Sequence, residues 1–154
     1  MLLEVYGDRE AMRYVGDGSP LTEAEARNWL AVTERNYRER GYGMFALLEK
    51  ASGSLVGFCG IVHPGGQLEP EVKYALRRRY WGQGFATEAA AALMHYGVQV
   101  HGLSYIIATV APEHRASQRV LAKIGMTQGT SRRDADGLET LVFEYRAPAR
   151  CEGA

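Results

Sequence analysis

Cysteine is scarce: the 154 residues contain two, which cannot make the staple framework of a small secreted domain. Cys59 lies in an apolar run and reads as a small core residue, while Cys151 sits in a polar tail. No apolar stretch approaches the roughly 20 residues needed to cross a bilayer, so no membrane-spanning helix is expected. Met1-Leu2-Leu3-Glu4 lacks the basic stretch and apolar segment of a secretory signal. These absences fit a reducing, cytoplasmic compartment. Charge of one sign is lacking too: 18 basic and 18 acidic residues give a formal net charge of zero. That removes the electrostatic footprint of a nonspecific nucleic-acid binder. No metal-ligand spacing accompanies His63 or His101, which read as loop residues, so no metal is expected.

What is present suits a single globular domain over residues 1–147 with a short tail at 148–154. An apolar fraction of 46% supplies a core. Residues 8–15 are expected to form a short helix, broken by Gly16-Asp17-Gly18-Ser19-Pro20. Thr22-Glu23-Ala24-Glu25 has capping-box spacing and opens a helix that stops near Gly41. Strands follow at 44–48 and 55–62 around a turn at 51–53, and then at 72–76. An Ala-rich helix runs from Ala86 to about Val100, followed by a strand at 105–110 and a helix from Ala116 to Ile124, ended by Gly125. Residues 140–145 close the pattern after an Asp136-Gly137 turn. The order predicts an α/β fold: a mixed, mostly antiparallel sheet with helices on both faces.

Between the strand ending at Leu76 and the helix opening near Gly84 lies Arg77-Arg78-Arg79-Tyr80-Trp81-Gly82-Gln83. A strand, a glycine loop and a helix start aim free backbone N–H groups and the positive end of a helix dipole at one point, which suits a diphosphate. Gly82 and Gly84 let the backbone approach an anion closely, and Thr87 adds a hydroxyl in the first turn. A nucleotide P-loop would need Gly-Lys followed by Ser or Thr, which is missing here. A dinucleotide fingerprint would need a third glycine where Thr87 stands and an acidic end to the next strand, which instead closes on Thr109-Val110.

Arg79-x-x-Gly82-x-Gly84, continuing through Phe85-Ala86-Thr87-Glu88-Ala89, resembles the acyl-CoA pyrophosphate loop of the Gcn5-related N-acetyltransferase (GNAT) superfamily, in its RimJ/RimL-like form. A second block, Pro112-Glu113-His114-Arg115-Ala116-Ser117 through Val120-Leu121-Ala122-Lys123-Ile124-Gly125-Met126, is similar to the family's second pattern. Together they cover the chain from about Met12 to Tyr145. The family usually has Asn at His114, where it touches the pantetheine arm; imidazole can also donate or accept. Relatives begin with a strand before the first helix, whereas this chain starts almost at the helix, so that strand is expected to be absent or the start to be short.

The resemblance implies acetyl-CoA as acyl donor and direct transfer to a primary amine, either a protein N-terminus or a small molecule. The alternatives are a non-catalytic acyl-CoA-binding module and an antibiotic or polyamine acetyltransferase. It implies that the two central strands splay, that the pantetheine arm bonds backbone near Leu76, and that Arg77, Arg79, Trp81, Gly82, Gln83, Gly84, Phe85, Ala86, Thr87, His114 and Ser117 line the donor site. Of Arg77-Arg78-Arg79, alternation lets one or two face the phosphates. A homodimer is consistent with the resemblance. The family's proton-donor tyrosine is replaced by Leu121, and in the RimL-like branch a serine matching Ser117 takes that role; the competing reading is a helix-capping serine. Glu71 is a candidate base through water, or else an exposed strand carboxylate. Asp134 and Asp136 are weaker candidates. Trp29 and Tyr37 fall where relatives bind the acceptor, with core packing the alternative for Trp29.

Overall fold

The computed structural model describes residues 1–133 and 137–149. Asp134, Asp136 and Cys151 lie outside the described residues. Leu3–Tyr6 make one helical turn, α1, and residues 9–18 continue as turns rather than the expected helix. The reason is local. The Asp8 carboxylate accepts from the amides of Glu10 at 2.9 Å and Ala11 at 3.1 Å, a side-chain turn that competes with helical bonding.

Helix α2 (Glu23–Arg40) begins as its capping box requires. Thr22 Oγ1 accepts from the Glu25 amide at 3.2 Å, and the Glu25 carboxylate accepts from the Thr22 amide at 2.7 Å. Gly41, at φ 80°, ends the helix in the left-handed conformation that glycine adopts most readily. Removing the cap with Thr22→Ala is expected to cost about 1 kcal/mol. Urea unfolding should show a lower midpoint with an unchanged slope.

The strands are β1 (Met44–Leu48), β2 (Leu55–Val62) and β3 (Glu71–Leu76), an antiparallel meander. Helix α3 (Phe85–His101), β4 (Tyr105–Val110) and α4 (Arg115–Lys123) follow, and β5 (Thr127–Arg133) and β6 (Glu139–Arg146) close the sheet. The order across the sheet is β1-β2-β3-β4-β6-β5, with β3–β4 the one parallel neighbour pair among the described residues. Among the described residues no strand precedes α1. Strand β5 was not anticipated: Thr-Gln-Gly-Thr-Ser-Arg-Arg is exposed at every position and has no apolar alternation to reveal it.

Each face of the sheet has its own core. On one, Cys59, Ile61, Val72, Ile106, Ala108 and Val110 pack with Leu93 and Met94 of α3 and Leu121 of α4. On the other, Met44, Phe58 and Ala75 pack with Val5 and Tyr6 of α1 and with Trp29 of α2. Side chains alternate along a strand. Val72 and Tyr74 therefore face α3 and α4, and Glu71 and Ala75 face α1 and α2.

Candidate active site

Strands β3 and β4 meet at a single register position, Glu71 opposite Ile107, with the Ile107 amide donating to the Pro70 carbonyl at 2.9 Å. Beyond that point the parallel ladder stops. The next inward-pointing amide of β4, at Thr109, donates to the Glu71 carboxylate at 3.3 Å. A side-chain oxygen thus takes the place of the β3 backbone carbonyl, so the strands part. The same oxygen, Oε1, accepts from the Thr109 hydroxyl and pairs with Lys73 Nζ at 2.8 Å. Oε2 accepts from Gln67 Nε2 at 3.1 Å. Glu71 is 2% exposed, so it is not the exposed strand carboxylate that was the alternative reading. Burial of a charge this deep requires such partners.

The split opens toward Leu76, and the chain then turns through Arg77 and a 3₁₀ turn, Arg78–Tyr80, into α3. This helix starts bare. Its N-cap is Gly84 at φ 85°, with no side-chain capping bond. The amides of Phe85, Ala86 and Thr87 find no partner among the described residues; the first bond is Glu88 to the Gly84 carbonyl at 3.0 Å. Such donors at a helix start normally need a cap, water or a ligand. Gly82 stands at φ 71°, and a Cβ added at Gly82 or Gly84 would meet no atom within 4 Å. Free donors, open space and the helix dipole fit an anion. The loop is held from below. Tyr80 packs with Val56, Leu76, Phe85 and Ala86, and Gln83 Nε2 donates to the Arg79 carbonyl at 2.7 Å.

The basic run divides its labour. Arg77 pairs with Glu4 at 3.2 Å and Arg78 with Asp8 at 2.8 Å, so the segment around α1 compensates both. Arg79 lies over the Tyr80 ring at 4.8 Å and donates to its hydroxyl at 2.9 Å, with no carboxylate partner among the described residues. The Trp81 indole donates to the Leu76 carbonyl at 3.0 Å, which ties the end of β3 to the loop.

Across the split, β4 leads to His114, the N-cap of α4, which makes no side-chain cap bond. Its ring stacks on Tyr14 with centroids 4.6 Å apart, and burial pushes its pKa below the ordinary histidine value, favouring neutral imidazole. Ser117 does not cap the helix. Its hydroxyl shares a 2.7 Å hydrogen bond with the phenol of Tyr74 on β3. Cys59 is buried and its thiol is pushed up to about 12 by desolvation, so no thiolate forms there at neutral pH. Trp29 packs 5.4 Å from Phe58 and 5.7 Å from Tyr6, in the core. Tyr37 donates to the Met44 carbonyl at 2.9 Å. His63 bonds Tyr42 at 2.7 Å and the Gln67 carbonyl at 3.0 Å.

The structure therefore gathers Leu76 through Thr87 at the wide end of the split, and places His114 and Ser117 on its β4 side. Glu71 stands apart, at the closed end and on the opposite face. Sequence reasoning missed Tyr74, Glu4, Asp8 and Tyr14. Only Tyr74 left a local trace, as part of the alternation Val72-Tyr74-Leu76; the others reach the site through long-range folding.

The sequence and the fold have counterparts among known proteins. Residues 1–127 match the acetyltransferase (GNAT) domain family. The protein YkkB of Bacillus subtilis (strain 168) is 32% identical over 124 residues, 79% of this chain and 71% of that protein. An acetyltransferase structure from Agrobacterium tumefaciens str. C58 superposes with a TM-score of 0.76 at 26% identity, covering 90% of this chain and 82% of that one. RimL, a ribosomal L7/L12 alpha-N-protein acetyltransferase solved with coenzyme A, shares the fold at 15% identity, with a TM-score of 0.73 over 88% of this chain and 79% of its own. With most of its length matching that domain, the chain belongs to the GNAT N-acetyltransferases, enzymes that take their acetyl group from acetyl-CoA.

Proposed function

We propose that this chain binds acetyl-CoA in the split between β3 and β4 and transfers the acetyl group directly to a primary amine. The observation that carries the reading is the bare start of α3 at the open end of that split. The amides of Phe85, Ala86 and Thr87 would hold the donor's diphosphate, with Gly82 and Gly84 leaving it room and the Thr87 hydroxyl and Arg79 adding charge-assisted bonds. The parted edges of β3 and β4 offer backbone groups to the amides of the pantetheine arm, with His114 and Ser117 on the β4 side. A backbone N–H aimed at the thioester oxygen stabilises the charge that develops there. The amine approaches from the α1 and α2 face. Glu71 Oε1 is occupied by three donors, from Thr109 and Lys73, whereas Oε2 accepts from Gln67 alone and keeps a lone pair to take the amine's proton through water.

Ligand titration tests the donor half without knowledge of the acceptor. A ligand that binds only the folded state adds about 2.7 kcal/mol of stability at 100 times its Kd. For a chain of this size that corresponds to a rise in Tm of about 5–10 °C. Acetyl-CoA should produce it, and no shift up to millimolar donor would overturn the reading. A panel of N-terminal peptides, polyamines and aminoglycosides, followed by free-thiol release, then separates protein from small-molecule acceptors. Binding without release from any amine would favour a non-catalytic acyl-CoA module.

A further inference from the structure

We propose that Tyr74 is the source of the proton that reaches the departing sulfur: its phenol donates to Ser117 Oγ as Ser117 gives its own proton to the thiolate. The inference rests on the donor reading above. Its motive is the 2.7 Å bond between the two hydroxyls, which crosses from β3 to α4 where the sheet has split. The phenol has a second, longer acceptor in the Ser117 carbonyl at 3.4 Å, so the shorter contact to Oγ is the better one for its single proton. With the phenol donating to Ser117, the serine proton is free to point elsewhere, and Ser117 Oγ has no other partner among the described residues.

Acidity explains why a serine needs the phenol. An alcohol is a far weaker acid than a thiol, so serine alone is poorly matched to protonate a thiolate; phenol, at about 10 in water, lies much closer to a thiol at about 8.5. The titratable side chains within α4 are the cations Arg115, Arg119 and Lys123, and none is bonded to Ser117. Burial raises the Tyr74 phenol and the Ser117 bond draws it back, so the proton is in place at neutral pH. In the transfer, the amine nitrogen bonds to the acyl carbon and the carbon–sulfur bond breaks with its electron pair left on sulfur. Sulfur takes the Ser117 proton, Ser117 takes the Tyr74 proton, and the phenolate regains one from water, balancing the proton the amine has lost. Tyr74 acts through Ser117 and is a positioning residue rather than a catalytic one.

The test reads the sulfur itself. CoA labelled with carbon-13 next to its thiol is titrated by NMR on the intact chain, on Tyr74→Phe and on Ser117→Ala. Donation from the hydroxyl pair stabilises the thiolate, so the bound thiol should titrate about one unit lower in the unaltered chain than in either variant. The double variant should shift it no further. For Tyr74→Phe the calorimetric affinity for CoA should change less than about threefold, because the ring stays in the core. If Tyr74 only braces the helix, Tyr74→Phe weakens CoA binding and leaves the thiol titration where it was, which overturns the inference. Ser117→Ala probes the pair from the helix side should the strand variant misfold; equal titration there overturns it as well. Failure of the unaltered chain to bind CoA would remove the donor reading, and this inference with it.

Discussion

Gly84→Asp is expected to abolish acetyl-CoA binding while the chain still folds. The backbone at Gly84 has φ 85°, a region that aspartate enters more readily than most residues. A Cβ there would meet no neighbour within 4 Å, so the substitution costs only the backbone strain of that conformation, about 1–3 kcal/mol. Its carboxylate projects into the space where a diphosphate would sit. Two unit charges 4 Å apart repel by about 4 kcal/mol at an effective dielectric of 20, and each 1.4 kcal/mol is tenfold in affinity. The loss should therefore exceed about 100-fold by calorimetry, with the circular dichroism spectrum unchanged. Gly84→Ala adds the same Cβ without the charge and should lose about tenfold. Tight binding by the aspartate variant would place the diphosphate elsewhere.

Glu71 should separate two roles that one side chain holds. Glu71→Gln keeps an oxygen for Thr109, so the strands stay parted and acetyl-CoA should bind within about threefold of the unaltered chain. Acetyl transfer to the best amine of the panel should fall by 100-fold or more, in the range for a lost general base. Glu71→Ala goes further. The Thr109 amide and hydroxyl lose an acceptor and the Gln67 amide one of its two, each buried donor left unpaired costing about 1–3 kcal/mol, while Lys73, 41% exposed, can turn to solvent. The Thr109 amide is then released to the backbone of β3. This variant should lose donor affinity and stability together. Full turnover by Glu71→Gln would leave the carboxylate with its architectural role alone and send the search for a base elsewhere.

Much of the fold is legible in the sequence. The capping box at Thr22 and Glu25, the glycine stop at Gly41 and the strands 44–48, 55–62 and 105–110 stand where local chemistry puts them, because each depends on neighbours within a few residues. The loop from Arg79 to Thr87 was legible for the same reason. Strand β5 was not, since its pairing with β6 involves backbone groups and every side chain faces solvent. The turns after α1 escaped because a single carboxylate, Asp8, outbid an apolar pattern. The fates of Arg77 and Arg78 depended on Glu4 and Asp8, about 70 residues away in sequence by simple subtraction, and no local pattern announces such a pair. The Tyr74–Ser117 bond is of the same kind, joining residues 43 apart.

An open sheet ordinarily has two rims, and evolution guards them because unpaired backbone recruits other chains. This one has two more at its centre, along β3 and β4 beyond Glu71 and Ile107. Beyond that point β4 carries no charged side chain and β3 only Lys73, which is drawn to Glu71, so their shelter comes from shape. The gap tapers to nothing at Glu71, so a further protein strand with side chains on both faces cannot slide in to its full length. A thin chain carrying amide groups can. The chain thereby keeps its stickiest backbone in its interior, where selectivity is set by the width of a slot rather than by repulsion.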